Sequence, residues 1–237
     1  MRSNEDNAGL PPVARLLLAI GMVAIGLVLA WALWSHSETS SSLAAAVMTE
    51  LPRSGVSNPV TAVLLNFRAF DTMLELAVLL LVAVTVGGLR DPREVSAFAQ
   101  VKQAASVSPL LQSLARDLVP IMMLTSGYLL WIGAKAPGGA FQAGAVLAAA
   151  AVLAHLSGRP WLSNPGDWRI RALLVLGTGA FLVSALALLL VTGTYFRYPP
   201  ALAGAWILII ETAATLSIAA MLYVTFCAVV PMMPSRR

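Results

Sequence analysis

Charge is scarce in this sequence. Asp, Glu, Lys and Arg make up 11% of 237 residues, against about a quarter in a soluble domain. With 59% of residues hydrophobic, an ordinary water-soluble globule is excluded and a membrane protein is indicated. The net charge is only +4. Its basic residues are scattered between apolar runs, as loop charges of a membrane protein are, so no nucleic-acid partner is expected. There is one cysteine, Cys227, inside an apolar run. No internal disulfide can form, and the redox compartment is left open. The two histidines, His36 and His155, stand far apart, and no cluster has metal-ligand spacing. A glycine-rich phosphate loop and a nucleophile elbow are both missing. We therefore expect no enzyme, no cofactor and no resident metal.

What the sequence does have is long apolar runs. They fall at about 16–34, 72–89, 118–132, 140–156, 172–191 and 204–229, and a ~30 Å hydrocarbon core needs roughly 20 residues at ~1.5 Å each. The first run ends in Trp31 and Trp34, which suit an interfacial anchor. A signal peptide is the competing reading, with 42–46 as its cleavage region. Residues 1–12 read as a tail and 35–57 as a Ser-rich loop. Asn58-Pro59 reads as an N-cap followed by Pro at the first helical position. The stripe Val60, Val63, Leu64 and Phe67 then predicts a short helix at the membrane interface. Pro120 falls in the first turn of the third run, where it is tolerated.

The basic residues orient this arrangement. Six crossings put both termini on one side. Only Arg53, Arg68, Lys135 and Arg197 of the 15 basic residues fall on the other side. The positive-inside bias makes the termini cytoplasmic. The fold expected is an all-α integral membrane protein, multi-pass in the cell (inner) membrane. It has about six transmembrane helices plus a short interfacial helix. Residues 1–90 form a first module, 91–117 a cytoplasmic linker and 118–237 a four-helix second module.

Three stretches carry chemical interest. Asp71 and Glu75 lie four apart, on one helical face at the outer mouth of the second run, with Arg68 beside them. Carboxylates there accept protons or hard cations such as sodium. The plainer reading makes Asp71 the N-cap of that helix, with Glu75 reaching the interface and Arg68 neutralising one of the two. Glu211 stands alone, with no other charge between Arg197 and Arg236. A carboxylate about 10 Å inside an apolar helix is protonated or paired. Thr215 follows one turn later on its face. The plainer reading is a hydrogen bond that holds helices together. The string from Pro137 through Gly138, Gly139 and Gln142 to Gly144 is a tight turn between two antiparallel crossings, with Gln142 just inside the next one. Ala140, Gly144, Ala148 and Ala151 form a small-residue stripe for a close neighbour. His155 could relay protons near neutral pH, or simply sit at the interface.

At this string the chain resembles the B subunit of Mrp-type (Mnh) multisubunit sodium/proton antiporters, whose PGGGFQxG signature joins two crossings. The resemblance covers about 108–230 and includes the acidic position held here by Glu211. Residues 58–75 are similar to the C-terminal end of the antiporter's large A subunit. That piece also occurs as a small separate protein (MbhE-like) in membrane-bound hydrogenases. The chain thus looks like a fusion of the C-terminal module of the A subunit with an MnhB/MrpB-like module. Three positions depart from the pattern: Asn66 for a usual aspartate, Ala134 near a frequent histidine, and Ala140 for the third glycine. Asp71, Glu75, Gln142 and Glu211 match. The resemblance implies an accessory subunit of a monovalent cation/proton antiporter, contributing carboxylates to the ion path and scaffolding other membrane subunits. Its partners would be those subunits, the lipid bilayer, protons, and sodium or another monovalent cation. The alternatives are a subunit of a complex I-related redox-driven pump, such as a membrane-bound hydrogenase, and a purely structural membrane subunit.

Overall fold

The structure is a computed structural model and describes residues 12–35, 40–88, 108–159, 168–199 and 201–229. The expected tail, His36 and most of the expected linker lie outside the described residues. The chain divides into two units, Met1–Ala46 and Val47–Arg237. The first holds helix α1 (Pro12–Ser35) and the start of α2 (Ser40–Glu50). The second continues through a short 3-10 turn, Leu51–Arg53, to α3 (Pro59–Ala62) and a π turn, Val63–Phe67. It then contains α4 (Ala69–Gly88), α5 (Pro109–Ile132), α6 (Ala140–Leu156), α7 (Trp168–Thr192) and α8 (Ala203–Val229).

Helix α8 is the centre of the second unit and packs on α4, α6 and α7, while α5 packs on α6. Two thirds of its most apolar stretch is buried (67%), against 22% for α4 and 33% for α7. Small residues allow this. A Cβ on Gly144 of α6 would lie 2.8 Å from the Ile218 side chain of α8. A Cβ on Gly177 of α7 would lie 2.9 Å from that of Ser217. In lipid there is little hydrophobic drive between helices, so such close backbone approach supplies much of the cohesion.

The contacts also give the helix directions. Ala140 and Ile210 share one apolar cluster, and His155 meets Tyr223 at the far end, so α6 and α8 run parallel. Leu65 and Ala69 cluster with Ala203 and Ile207, while Gly87 faces Val224, so α4 is parallel to both. Helix α7 is antiparallel to α8, because Ser217 Oγ donates to the Leu174 carbonyl (2.7 Å) while Leu188 sits with Ile207. Helix α5 is antiparallel to α6. Ser126 Oγ donates to the Ala143 carbonyl (2.7 Å) and the Gly139 N–H to that of Leu129 (2.9 Å).

Among the described residues, three helices are long and apolar enough to cross a bilayer: Ala69–Gly88, Trp168–Thr192 and Ala203–Ala228. Shorter apolar stretches occupy Ala19–Ala32 and Ala140–Leu156. The protein is thus an all-helical membrane protein in which, among the described residues, these three helices have the length and composition of crossings.

Several expectations need correction. The 35–57 loop contains α2, whose Leu43, Ala44, Ala45 and Ala46 are strong helix formers. Helix α5 begins at Pro109, so residues 109–117 are helix rather than linker. Pro120 then lies mid-helix rather than in the first turn. Helix α4 begins at Ala69, so Asp71 is in its first turn and is not the N-cap. The predicted short helix is present as α3 followed by the π turn, and its stripe residues Val60 and Phe67 are exposed at the protein surface. Thr61, Ala62 and Leu65 are buried.

The N-cap at Asn58 is present and does more than cap. Its side chain accepts from the Val60 N–H (3.1 Å). Its Nδ2 donates to the carbonyls of Gly133 and Ala136 (both 2.9 Å), and Thr61 Oγ1 also donates to Gly133 (2.6 Å). The buried side chains of Asn58 and Thr61 therefore clamp the turn between α5 and α6. Two carbonyls of the π turn, which the wider register frees, are satisfied from a distance. Thr72 Oγ1 donates to Leu64 (2.8 Å) and the Tyr198 hydroxyl to Leu65 (2.9 Å). Burial pushes ionisation of the Tyr198 phenol upward, so it stays a donor.

Candidate functional site

The site grows from the turn that the Asn58 loop clamps. Gly133 to Gly139 reverses the chain so tightly that a side chain is excluded at both Gly133 and Gly138. A Cβ on Gly133 would fall 2.6 Å from the Gly139 nitrogen, and one on Gly138 would fall 2.5 Å from the Leu129 carbonyl. Gly139 itself has φ +103 and ψ −173, a conformation essentially reserved for glycine. Helix α6 starts directly after it, and Gly139 offers that helix no capping side chain.

Glu211 of α8 supplies the missing cap. Its carboxyl group lies at this terminus, with the N–H of Ala140, the first residue of α6, as its backbone neighbour. Oε1 would lie only 2.9 Å from a Cβ on Gly139, so the glycine makes room for the carboxylate. A negative group at a helix N-terminus is favoured by the free N–H groups and the helix dipole. Glu211 is 3% exposed, and among the described residues its second oxygen, Oε2, is buried without a hydrogen-bond partner. An unsatisfied buried acceptor costs about 1–3 kcal/mol. One oxygen is thus fixed by the fold, and the other is open to a proton, a water or a cation.

The neighbouring candidates fall into place unevenly. Gln142 is exposed, with its Oε1 3.9 Å from the Cβ position of Gly139, so it flanks Glu211 on the surface side. Thr215 is buried on the face expected, but its hydroxyl donates to the Glu211 backbone carbonyl (2.7 Å) rather than to the carboxylate. Gly144 sits one turn further in, 3.1 Å from the Thr215 carbonyl at its Cβ position. Pro137, Gly138 and Gly139 form the turn itself.

Asp71, Glu75 and Arg68 are not part of this cluster. Arg68 and Asp71 form an ion pair whose side chains are 68% and 46% exposed, a geometry that contributes little stability. Glu75 is exposed. The buried residues of α4 are Ala69, Thr72, Leu76 and Ala83, and at 100° per residue both carboxylates lie well off that face. Among the described residues no hydrogen bond or ion pair joins them to Glu211.

Three contributors escaped the sequence. Ser126 ties α5 to α6, and its only signal was a small polar residue inside an apolar run. Thr61 and Tyr198 reach across long sequence separations, which no local pattern encodes. At the opposite end of the α6–α8 interface, His155 Nδ1 lies 2.7 Å from the Tyr223 hydroxyl and 3.8 Å from Cys227 Sγ.

The chain is similar to known membrane proteins. Residues 110–233 match the family described as "Domain related to MnhB subunit of Na+/H+ antiporter", and residues 13–103 match the family of the E subunit of MBH. The chain is 27% identical over 206 residues to a probable K(+)/H(+) antiporter A/B subunit of Rhizobium meliloti (strain 1021). That alignment covers 78% of this chain but only 20% of the relative, so the chain spans about a fifth of the length of that protein. Its fold resembles a chain of the membrane-bound sulfane sulfur reductase, an archaeal respiratory membrane complex. The TM-score is 0.67 at 23% identity, covering 91% of this chain and 97% of that one. It also resembles part of a chain in the Mrp complex from Dietzia sp. DQ12-45-1b. There the TM-score is 0.61 at 20% identity, covering 97% of this chain and 27% of that one.

Proposed function

Because the chain belongs to the family of domains related to the MnhB subunit of Na+/H+ antiporters, we propose that it is a membrane subunit of a multisubunit monovalent cation/proton antiporter and that Glu211 is its exchange group. The observation that carries this reading is the half-satisfied carboxylate. One oxygen is anchored at the N-terminus of α6 while Oε2 is buried and open. A group so held can take a proton in one state and a small monovalent cation in another, without rebuilding the fold. No covalent step is involved.

The helix directions support the remaining topology. Helices α4, α6 and α8 run one way and α5 and α7 the other, as alternate crossings require. At ~1.5 Å per residue, α5 with 24 residues reaches about 36 Å and α6 with 17 about 25 Å. With α1 as a further crossing, the bias of basic residues places both termini in the cytoplasm and Glu211 and Asp71 toward the outside. The successive matches at 13–103 and 110–233 support two modules joined between them. Asp71 and Glu75 face away from α8, so their part in a path would be completed by a neighbouring subunit.

The test is cation-driven proton movement in membrane vesicles. Removing the chain abolishes proton release on addition of sodium or potassium, and supplying it restores the response. Asp71→Asn and Glu75→Gln lower the response without reducing the amount of chain in the membrane. Full cation-driven release without the chain would reject the proposal. The likeness to a respiratory complex chain is compatible with one second reading, a subunit of a redox-driven pump. Copurifying iron–sulfur subunits would decide for it.

A further inference from the structure

The other end of the α5–α6 hairpin carries a feature that the exchange reading does not use. A cleft of about 190 Å³ lies between α5 and the end of α6, lined among others by Gln112, Arg116, Val119, Pro120, Ser157 and Arg159. By liquid-water volume it holds about six waters. That is small for a drug-like ligand and fits one headgroup phosphate with its glycerol arm.

Both arginines are placed by backbone rather than by chance. Helix α6 ends in a Schellman motif. Gly158 has φ +86, its N–H donates to the His155 carbonyl (3.1 Å), and the Arg159 N–H donates to that of Ala154 (2.9 Å). This turn brings Arg159 back beside α5, opposite Arg116. Pro120 lacks an N–H, so the Arg116 carbonyl four residues earlier has no intrahelical donor. It remains an acceptor for a headgroup hydroxyl. Among the described residues neither guanidinium lies in an ion pair, and Asp117 is not in the lining.

The depth suits a lipid. Arg159 lies three residues beyond the last residue of apolar α6, and Arg116 lies two residues before the apolar half of α5. Two guanidiniums at that level, above the apolar side chains of Val119 and Pro120, match a phosphate carried on an acyl-chain glycerol. We propose that this cleft binds the phosphate of an anionic phospholipid and so pins the α5–α6 hairpin at the membrane surface.

Native mass spectrometry of the full chain in detergent, titrated with phosphatidylglycerol or phosphatidylcholine, tests this. Phosphatidylglycerol is retained and phosphatidylcholine is not. Arg116→Gln or Arg159→Gln weakens retention about fivefold and the double change about thirtyfold, as expected for arginines beside an anionic headgroup. Arg197→Gln, at the opposite end, changes nothing. Val119→Trp fills the cleft at constant charge and abolishes retention, which keeps the test valid should the double variant fold poorly. Equal retention of both lipids overturns the proposal, as does unchanged retention by a folded double variant. Displacement of phosphatidylglycerol by inorganic phosphate likewise overturns it, in favour of a free-phosphate site.

Discussion

Glu211→Gln lowers cation-coupled proton flux by roughly a hundredfold, the low end of what a positioned proton-transfer group contributes, while the protein remains in the membrane at normal yield. The reason lies in the two oxygens. Glutamine keeps a carbonyl oxygen that can accept from the Ala140 N–H, so the cap on α6 survives. It cannot take up or release a proton, and it carries no charge for a cation. Glu211→Leu removes both functions. It leaves the Ala140 N–H without its partner, which adds about 1–3 kcal/mol of destabilisation. The two variants therefore separate the helix-holding role from the exchange role. Thermal unfolding of the purified protein and flux in vesicles, measured on the same preparations, distinguish them. If Glu211→Gln transports normally, Glu211 is a structural cap only.

Gly139→Ala produces the second large effect. Its backbone, at φ +103 and ψ −173, is strained for any L side chain, at about 1–3 kcal/mol. The added methyl would also lie 2.9 Å from Glu211 Oε1, so the carboxylate must leave the helix terminus. Unfolding temperature and flux fall together, unlike in Glu211→Gln, where flux alone falls. Gly127→Ala is the matched comparison. It lies in the interior of α5 with nothing within 4 Å of the added methyl. There, alanine is neutral or stabilises by up to about 1 kcal/mol. A Gly139→Ala protein as stable and active as Gly127→Ala would show that the close approach is unimportant.

How far the sequence discloses this molecule differs by feature. Asn58-Pro59 announced a helix start because the cap chemistry is local, and the structure has it. The lone Glu211 and the Pro137–Gly144 string were each legible as unusual. That they meet was not, because 71 residues separate Glu211 from Ala140 and no local pattern links them. Asp71 and Glu75 did share a helical face, as their spacing required. Which face of α4 turns inward was not legible, since Ala69–Gly88 is apolar almost all round. The π turn at Val63–Phe67 was hidden for a related reason. Its freed carbonyls are satisfied by Thr72 and by the distant Tyr198, so its stability is tertiary. Pro120 was read as a first-turn residue because the apolar run begins near it. The amphipathic turns from Pro109, which bury Ala115, extend the helix before it.

The most direct test of Glu211 as the exchange group is the cation-induced infrared difference spectrum of the purified protein in its membrane complex. Adding sodium or potassium should remove a protonated-carboxyl C=O band. That loss should vanish in Glu211→Gln and persist in Asp71→Asn and Glu75→Gln. The same band change persisting undiminished in Glu211→Gln would contradict the account.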